Sequence, residues 1–169
     1  MPGADVSADH APCVTCVPEG ALCAALAPET ASLEALFDLI DRVCDDCGAT
    51  PCPKRARFDA KLALEELFVN VMRHGFGDGR PRADVEVSGW CEKAASPEGR
   101  PAALHFVMRD AGIPFDPLAY KAQRVSAGLG ARNKVGGLGV FLVCERMDGV
   151  EYTYRDGHNT VNLVKYLQN

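Results

Sequence analysis

Residues 135–143 read VGGLGVFLV, three glycines packed ahead of a short apolar run. A buried strand, a tight turn into a helix, and a loop that holds an anion all fit this stretch taken alone. The three readings lead to different folds, so the flanking chain has to separate them. Upstream, residues 117–135 carry mixed polar residues with Gly128 and Gly130 and no period, which reads as a long, mobile loop. Downstream, Leu138 to Met147 suits a helix. A glycine loop that feeds a helix N-terminus presents free backbone N–H groups and the positive end of the helix dipole, and phosphate is their natural guest. No Gly-Lys-Ser/Thr follows, and no strand runs directly into the glycines. The stretch is therefore neither the lysine-bearing phosphate loop nor a dinucleotide fingerprint.

The remaining elements set this turn in a frame. GALCAALA (20–27) is an apolar run of small residues that reads as a first strand. In the segment that follows, Leu33, Leu36, Phe37, Ile40, Val43 and Cys44 recur at helical spacing, with acidic Glu29 and Glu34 early and Gly48 at the end. A second helix runs from about Arg57 to His74 and stops at Gly75. ADVEVSGW (83–90) alternates with period two and AALHFVMRD (102–110) is apolar, so the two read as an antiparallel hairpin. VEYTYR (150–155) and TVNLVKYL (160–167) form another, joined by Asp156-Gly157. The order β-α-α-β-β-loop-α-β-β lacks the strict alternation of a doubly wound sheet. It predicts an α/β (α+β) two-layer sandwich, with a mixed, mostly antiparallel sheet and helices on one face. Residues 1–18 read as a flexible tail and 19–169 as one domain.

The net charge of -5 and the pI near 5.3 argue against direct nucleic-acid binding and favour a protein partner or a polyanion held locally. No stretch reaches the roughly 18 apolar residues that span a bilayer. The N-terminus has neither the basic start nor the apolar core of a signal peptide, so a cytoplasmic location is expected. Eight cysteines are many for such a protein. Two Cys-x-x-Cys pairs, Cys13/Cys16 and Cys44/Cys47, with Cys52 close behind, admit a four-thiolate zinc site or a redox role. Their separation exceeds the usual ribbon spacing, and reduced, partly buried thiols are the simpler expectation.

Two further stretches carry candidate chemistry. In FDAKLALEELFVNVMRHGF (58–76), Ala60, Leu64, Leu67, Phe68 and Val71 share one helix face, the core face. Glu66, Asn70 and His74 are each four apart and line its border, with Asp59 in the same direction. A carboxylate and an amide one turn apart suit a hard cation or an attacking nucleophile, and they equally suit a solvated helix edge. His74 beside Gly75 also complements the helix C-terminus as a cation. In RDAGIPFDP (109–117), Asp110 ends an apolar strand, where it can accept a hydrogen bond from a ligand amine. Gly112 allows close approach of the backbone, although Asp and Gly are also ordinary turn residues.

Glu-x-x-x-Asn on a helix, a strand ending in Asp-x-Gly, a long loop and Gly-x-Gly opening a helix occur in an order that resembles the GHKL ATPase superfamily. Over residues 19–169 the chain is similar to the anti-sigma factor serine/threonine kinases of the RsbW and SpoIIAB type, with their Bergerat ATP-binding fold, a histidine kinase-like ATPase. The resemblance implies ATP and Mg²⁺ as cofactors, with Asn70 on the metal and Glu66 as general base. It further implies that Asp110 takes the adenine amine and that Gly112 shapes its pocket. Gly137, Leu138, Gly139 and Val140 would hold the phosphates, and residues 117–135 would be the ATP lid. The implied partners are a sigma factor and an anti-anti-sigma STAS-domain protein, which it would phosphorylate on serine, with homodimerisation. The alternative is a non-catalytic module in which ATP only switches partner binding.

Overall fold

The computed structural model describes residues 17–48, 51–77, 81–93, 101–119 and 138–167. Residues 1–16 of the expected tail, residues 120–135 of the expected lid, and Gly137 lie outside the described residues.

Strand β1 (Leu22–Leu26) is followed by a 3-10 turn and helix α1 (Leu33–Asp45), and then by α2 (Lys54–Asn70). Next come β2 (Val85–Glu92), β3 (Ala103–Asp110), α3 (Leu138–Arg146), β4 (Gly149–Arg155) and β5 (His158–Tyr166). The five strands form one sheet in the order β1-β2-β3-β5-β4. All four pairings are antiparallel, where the sequence left room for a mixed sheet. The β4–β5 hairpin turns on Asp156 (φ 53) and Gly157 (φ 80), the positive angles that a two-residue turn matched to strand twist requires.

Helix α1 buries Leu36, Leu39, Ile40, Val43 and Cys44, five residues whose spacing is that of one helix face. Helix α2 buries Ala60, Ala63, Leu64, Leu67 and Phe68 in the same way. These faces meet Val85 and Val87 of β2, Leu104, Phe106 and Met108 of β3, and Val161 and Leu163 of β5 in one continuous core. Removing this apolar area from water is the main term holding helices to sheet. Strand β3 lies at the centre and buries residues on both faces, so its ends are the places where it can meet solvent or a ligand. None of the helices among the described residues is long and apolar enough to cross a membrane.

The expectation of reduced thiols is corrected at one pair. Cys47, just beyond α1, forms a disulfide with Cys91 of β2, with a Cα–Cα separation of 5.3 Å. Its partner is a cysteine 44 positions away in sequence, so spacing along the chain does not reveal it. Cys44 and Cys52 remain free. Among the described residues no group of three or more His, Cys, Asp or Glu could hold a metal ion, which leaves the four-thiolate site unsupported there; Cys13 and Cys16 lie outside them.

Candidate functional site

Helix α2 changes pitch directly after Asn70. Val71–Gly75 forms a π turn, a rare form that recurs at functional sites because the wider turn frees backbone groups. Here Gly75 O accepts a hydrogen bond from Ile113 N–H at 2.7 Å, tying the end of the helix to the segment after β3. The contact explains the glycine of Asp-x-Gly. A Cβ at Gly112 would lie 2.5 Å from Gly75 O and 2.6 Å from Asp110 Oδ1, so no other residue fits without displacing backbone.

Between the π turn, the end of β3 and the start of β5 lies a cavity of about 120 Å³. Asn70, Val71 and His74 line one wall, and Met108, Asp110 and Val161 line the other. Asp110 is 6% exposed. Its Oδ1 accepts from Gly112 N–H at 2.8 Å and from Asn159 Nδ2 at 2.9 Å. Oδ2 has no hydrogen-bond partner among the described residues, which leaves it as the acceptor that a bound molecule can use. A flat apolar ligand with an amine at its edge matches this wall.

Asn159 is the residue that sequence reasoning missed. It sits opposite Asp110 in the β3–β5 register and is 4% exposed. Its Nδ2 donates both to Asp110 and to Ile113 O at 3.0 Å. Its Oδ1 accepts from Phe115 N–H at 3.1 Å and from the Tyr152 hydroxyl at 2.8 Å. All four hydrogen-bonding positions of the amide are thus used. Burial pushes the Tyr152 phenol above its ordinary value, and the Asp116 and Asp110 carboxylates add to this, so it stays protonated as a donor. The available signal was an asparagine at an inward position of an alternating strand, because a buried amide needs partners.

The helix stripe divides into three. Asn70 and His74 face the cavity. Glu66 packs on Gly139 in the first turn of α3, where a Cβ would overlap its carboxylate; the glycine is what lets the two elements close. Asp59 is 1% exposed and belongs to an ion-pair cluster with Arg146 (3.6 Å), Lys165 (3.6 Å) and Arg55 (3.9 Å). Leu138 opens α3, so VGGLGVFLV enters a helix and is not a buried strand. Val140 is 2% exposed, with its side chain in the interior. The expected lid does not begin as loop: residues 117–119 are helical. Asp116 Oδ1 caps them, accepting from Leu118 N–H at 2.8 Å and Ala119 N–H at 3.1 Å. Asp followed by Pro117 is a helix-start signature, and the lack of a downstream period masked it.

Comparison with known proteins accords with this architecture. Residues 27–165 match the family described as histidine kinase-like ATPase domain. In three dimensions the chain is similar to the crystal structure of the RsbU and RsbW domains of Rv1364c from Mycobacterium tuberculosis, with a TM-score of 0.56 and 13% identity. That match covers 90% of this chain and 34% of the other, so the chain spans about a third of the length of the structure it matches. A weaker likeness is to the Acinetobacter baumannii histidine kinase AdeS, with a TM-score of 0.41, 12% identity, and coverage of 88% of this chain and 68% of that one. No curated protein matches the sequence.

Proposed function

The chain belongs to the histidine kinase-like ATPase domain family, and on that premise we propose that it is an ATP-dependent protein serine/threonine kinase of the anti-sigma type. The observation that carries the reading is the set of side chains around one helix. Asn70 lines the cavity across from Asp110, and Glu66, one turn earlier, packs on the first turn of α3.

In this reading Asp110 Oδ2 accepts the exocyclic amine of adenine, and the apolar walls take the ring. The phosphates extend toward the start of α3, where backbone N–H groups of Gly137, Leu138, Gly139 and Val140 would meet them. Asn70 lines the cavity, and its amide oxygen is a hard donor of the kind that would suit Mg²⁺ accompanying the phosphates. When bound, the ion neutralises phosphate charge. Glu66 orients the serine hydroxyl of the substrate protein and accepts its proton as the oxygen bonds to the γ-phosphorus and ADP departs. Phosphoryl transfer asks mainly for positioning and charge stabilisation, which these groups supply. The substrate would be a STAS-domain anti-anti-sigma protein, competing with a sigma factor for a kinase that acts as a homodimer.

The test is incubation with γ-labelled ATP, Mg²⁺ and the candidate STAS protein. Label on a serine of the partner is expected, and it should be lost in Glu66→Gln while ATP binding persists. An unlabelled partner with the wild-type protein overturns the kinase reading in favour of an ATP-gated binding module.

A further inference from the structure

Asp59 is a buried charge for which the proposed chemistry has no use. It is 1% exposed, and its Oδ1 has no hydrogen-bond partner among the described residues. A carboxylate so desolvated is costly unless opposite charge surrounds it. Three cations from three elements do so. Arg55 Nε of α2 lies 3.9 Å from Oδ2, Lys165 Nζ of β5 lies 3.6 Å from Oδ2, and Arg146 Nη1 of α3 lies 3.6 Å from Oδ1. Lys165 adds a second hold on α3. Its Nζ donates to Arg146 O at 2.7 Å, at the negative end of that helix dipole, and to Asp148 Oδ1 at 3.4 Å. Asp148 Oδ2 in turn accepts from Tyr166 N–H at 2.8 Å, and Asp148 N–H donates to Val164 O at 2.9 Å. Arg146 is therefore held by its side chain from α2 and by its carbonyl from β5.

The opposite end of α3 rests on the same helix. Gly139, in its first turn, packs on Glu66 of α2. Glu66 and Asp59 are seven residues apart on α2, and Gly139 and Arg146 are seven apart on α3. The two helices therefore run antiparallel, with α3 seated on α2 at both ends. A helix is a stiff rod, and seven residues span about 10 Å of its axis. Slack at Arg146 would thus reach the first turn of α3 as a change of tilt. The base end of the cavity is built differently. Asp110, Asn159 and the π turn line it, and no residue of α3 does among those described.

We propose that Asp59 is a positioning residue for phosphate binding: through Arg146 and Lys165 it sets the tilt of α3 and so aims the backbone N–H groups of its first turn at the phosphate chain. The inference rests on the proposed seat of the phosphates at the start of α3. Because the base end does not involve α3, Asp59 governs affinity for the phosphates and leaves affinity for the base alone. Loss of a fraction of an ångström in alignment is enough to matter, since anion capture by a helix terminus depends on several N–H groups converging on one ligand.

The experiment measures ATP and adenosine binding by calorimetry, with Mg²⁺, on the full chain as wild type, Asp59→Asn and Arg146→Met. Asp59→Asn keeps the shape and removes the charge; Arg146→Met breaks the same ion pair from the α3 side. Wild type should bind ATP at least about tenfold more tightly than adenosine. Both variants should lose about tenfold in ATP affinity while adenosine affinity stays within about twofold. Amide hydrogen exchange gives a reading without ligand: in Asp59→Asn the amides of α3 should exchange about tenfold faster, while those of β3 keep their protection. The Arg146 side chain is 38% exposed, so its variant carries the test if Asp59→Asn fails to fold. A wild-type preference for ATP that both variants keep, or ATP and adenosine weakened together, overturns the positioning role. Wild-type protein that binds ATP no more tightly than adenosine overturns the phosphate seat itself, and the positioning role with it, so the two failures are told apart.

Discussion

Asn159→Asp tests the cavity wall with almost no change of shape. The wild-type amide donates to Asp110 Oδ1 at 2.9 Å and to Ile113 O at 3.0 Å. An aspartate keeps the acceptor for Phe115 N–H and the Tyr152 hydroxyl, loses both donors, and sets a second carboxylate against the first. Two unit charges about 3 Å apart repel by roughly 6 kcal/mol at an effective dielectric constant of about 20. Protonating a carboxyl of ordinary pKa at pH 7 costs about 4 kcal/mol, three units at about 1.4 each. Repulsion exceeds that cost, so the folded variant takes up a proton that its unfolded chain has released. The folded-state pKa of the pair is raised, and stability is complete below about pH 4 and falls as pH rises toward about 8. The slope in that window is about 1.4 kcal/mol per pH unit. Thermal unfolding from pH 5 to 8.5 should therefore show the gap between variant and wild type widening steadily. On the proposed role of Asp110 as acceptor for the base amine, ATP titrations at pH 7 should weaken at least about tenfold, since the shared proton would compete for the same carboxylate. Asn159→Ala is the control. It loses four hydrogen bonds at roughly 0.5–1.5 kcal/mol each but introduces no charge, so its gap should stay flat with pH. A flat gap for Asn159→Asp would refute the pairing of Asn159 with Asp110.

Three other perturbations probe separate parts of the molecule. Gly139→Ala puts a methyl group where the Glu66 carboxylate lies, and it should cost about 1–3 kcal/mol in thermal or urea unfolding. In a phosphotransfer assay it should lower the rate more than ATP affinity; unchanged stability and rate would contradict the contact. Cys91→Ser removes a cross-link between positions 44 apart, worth up to about 4 kcal/mol by the loop-entropy estimate. Its urea midpoint should match that of fully reduced wild type and should no longer respond to reductant. At Asp41, burial raises the carboxyl, but hydrogen bonds from Lys61 and Arg57 outweigh it and hold the group below its ordinary 3.8. That contribution is present above the ordinary value and is lost as pH falls through the lower folded one. Arg57→Met should therefore cost under about 1 kcal/mol at neutral pH and flatten the acid limb of the stability curve below about pH 4.

What the sequence discloses here is periodic or local, and what it conceals is pairing at a distance. The apolar spacing of α1 and the Asp156-Gly157 turn could be read directly, because each depends on residues a few positions apart. The Glu66–Asn70–His74 stripe was legible as a stripe, but its division between a cavity and α3 was not, because that depends on where other elements arrive. Cys91 and Asn159 share this reason. The first reaches Cys47 only once β2 lies against the end of α1, and the second reaches Asp110 only because β5 pairs with β3 across an intervening α3 and β4. That last pairing bears on where a carboxylate with the ligand-accepting role proposed for Asp110 can sit. Strand β3 is flanked by strands on both sides and buried on both faces, so a charge at most of its positions would stay desolvated. Its final residue, Asp110, faces the cavity, and there β5 brings an amide into register and the next turn brings a backbone N–H. Both donors fall on one oxygen and stabilise the charge while leaving the other oxygen for a ligand. Asp-x-Gly is therefore half of the device, and its other half stands at the start of a strand that sequence proximity gives no reason to join to it.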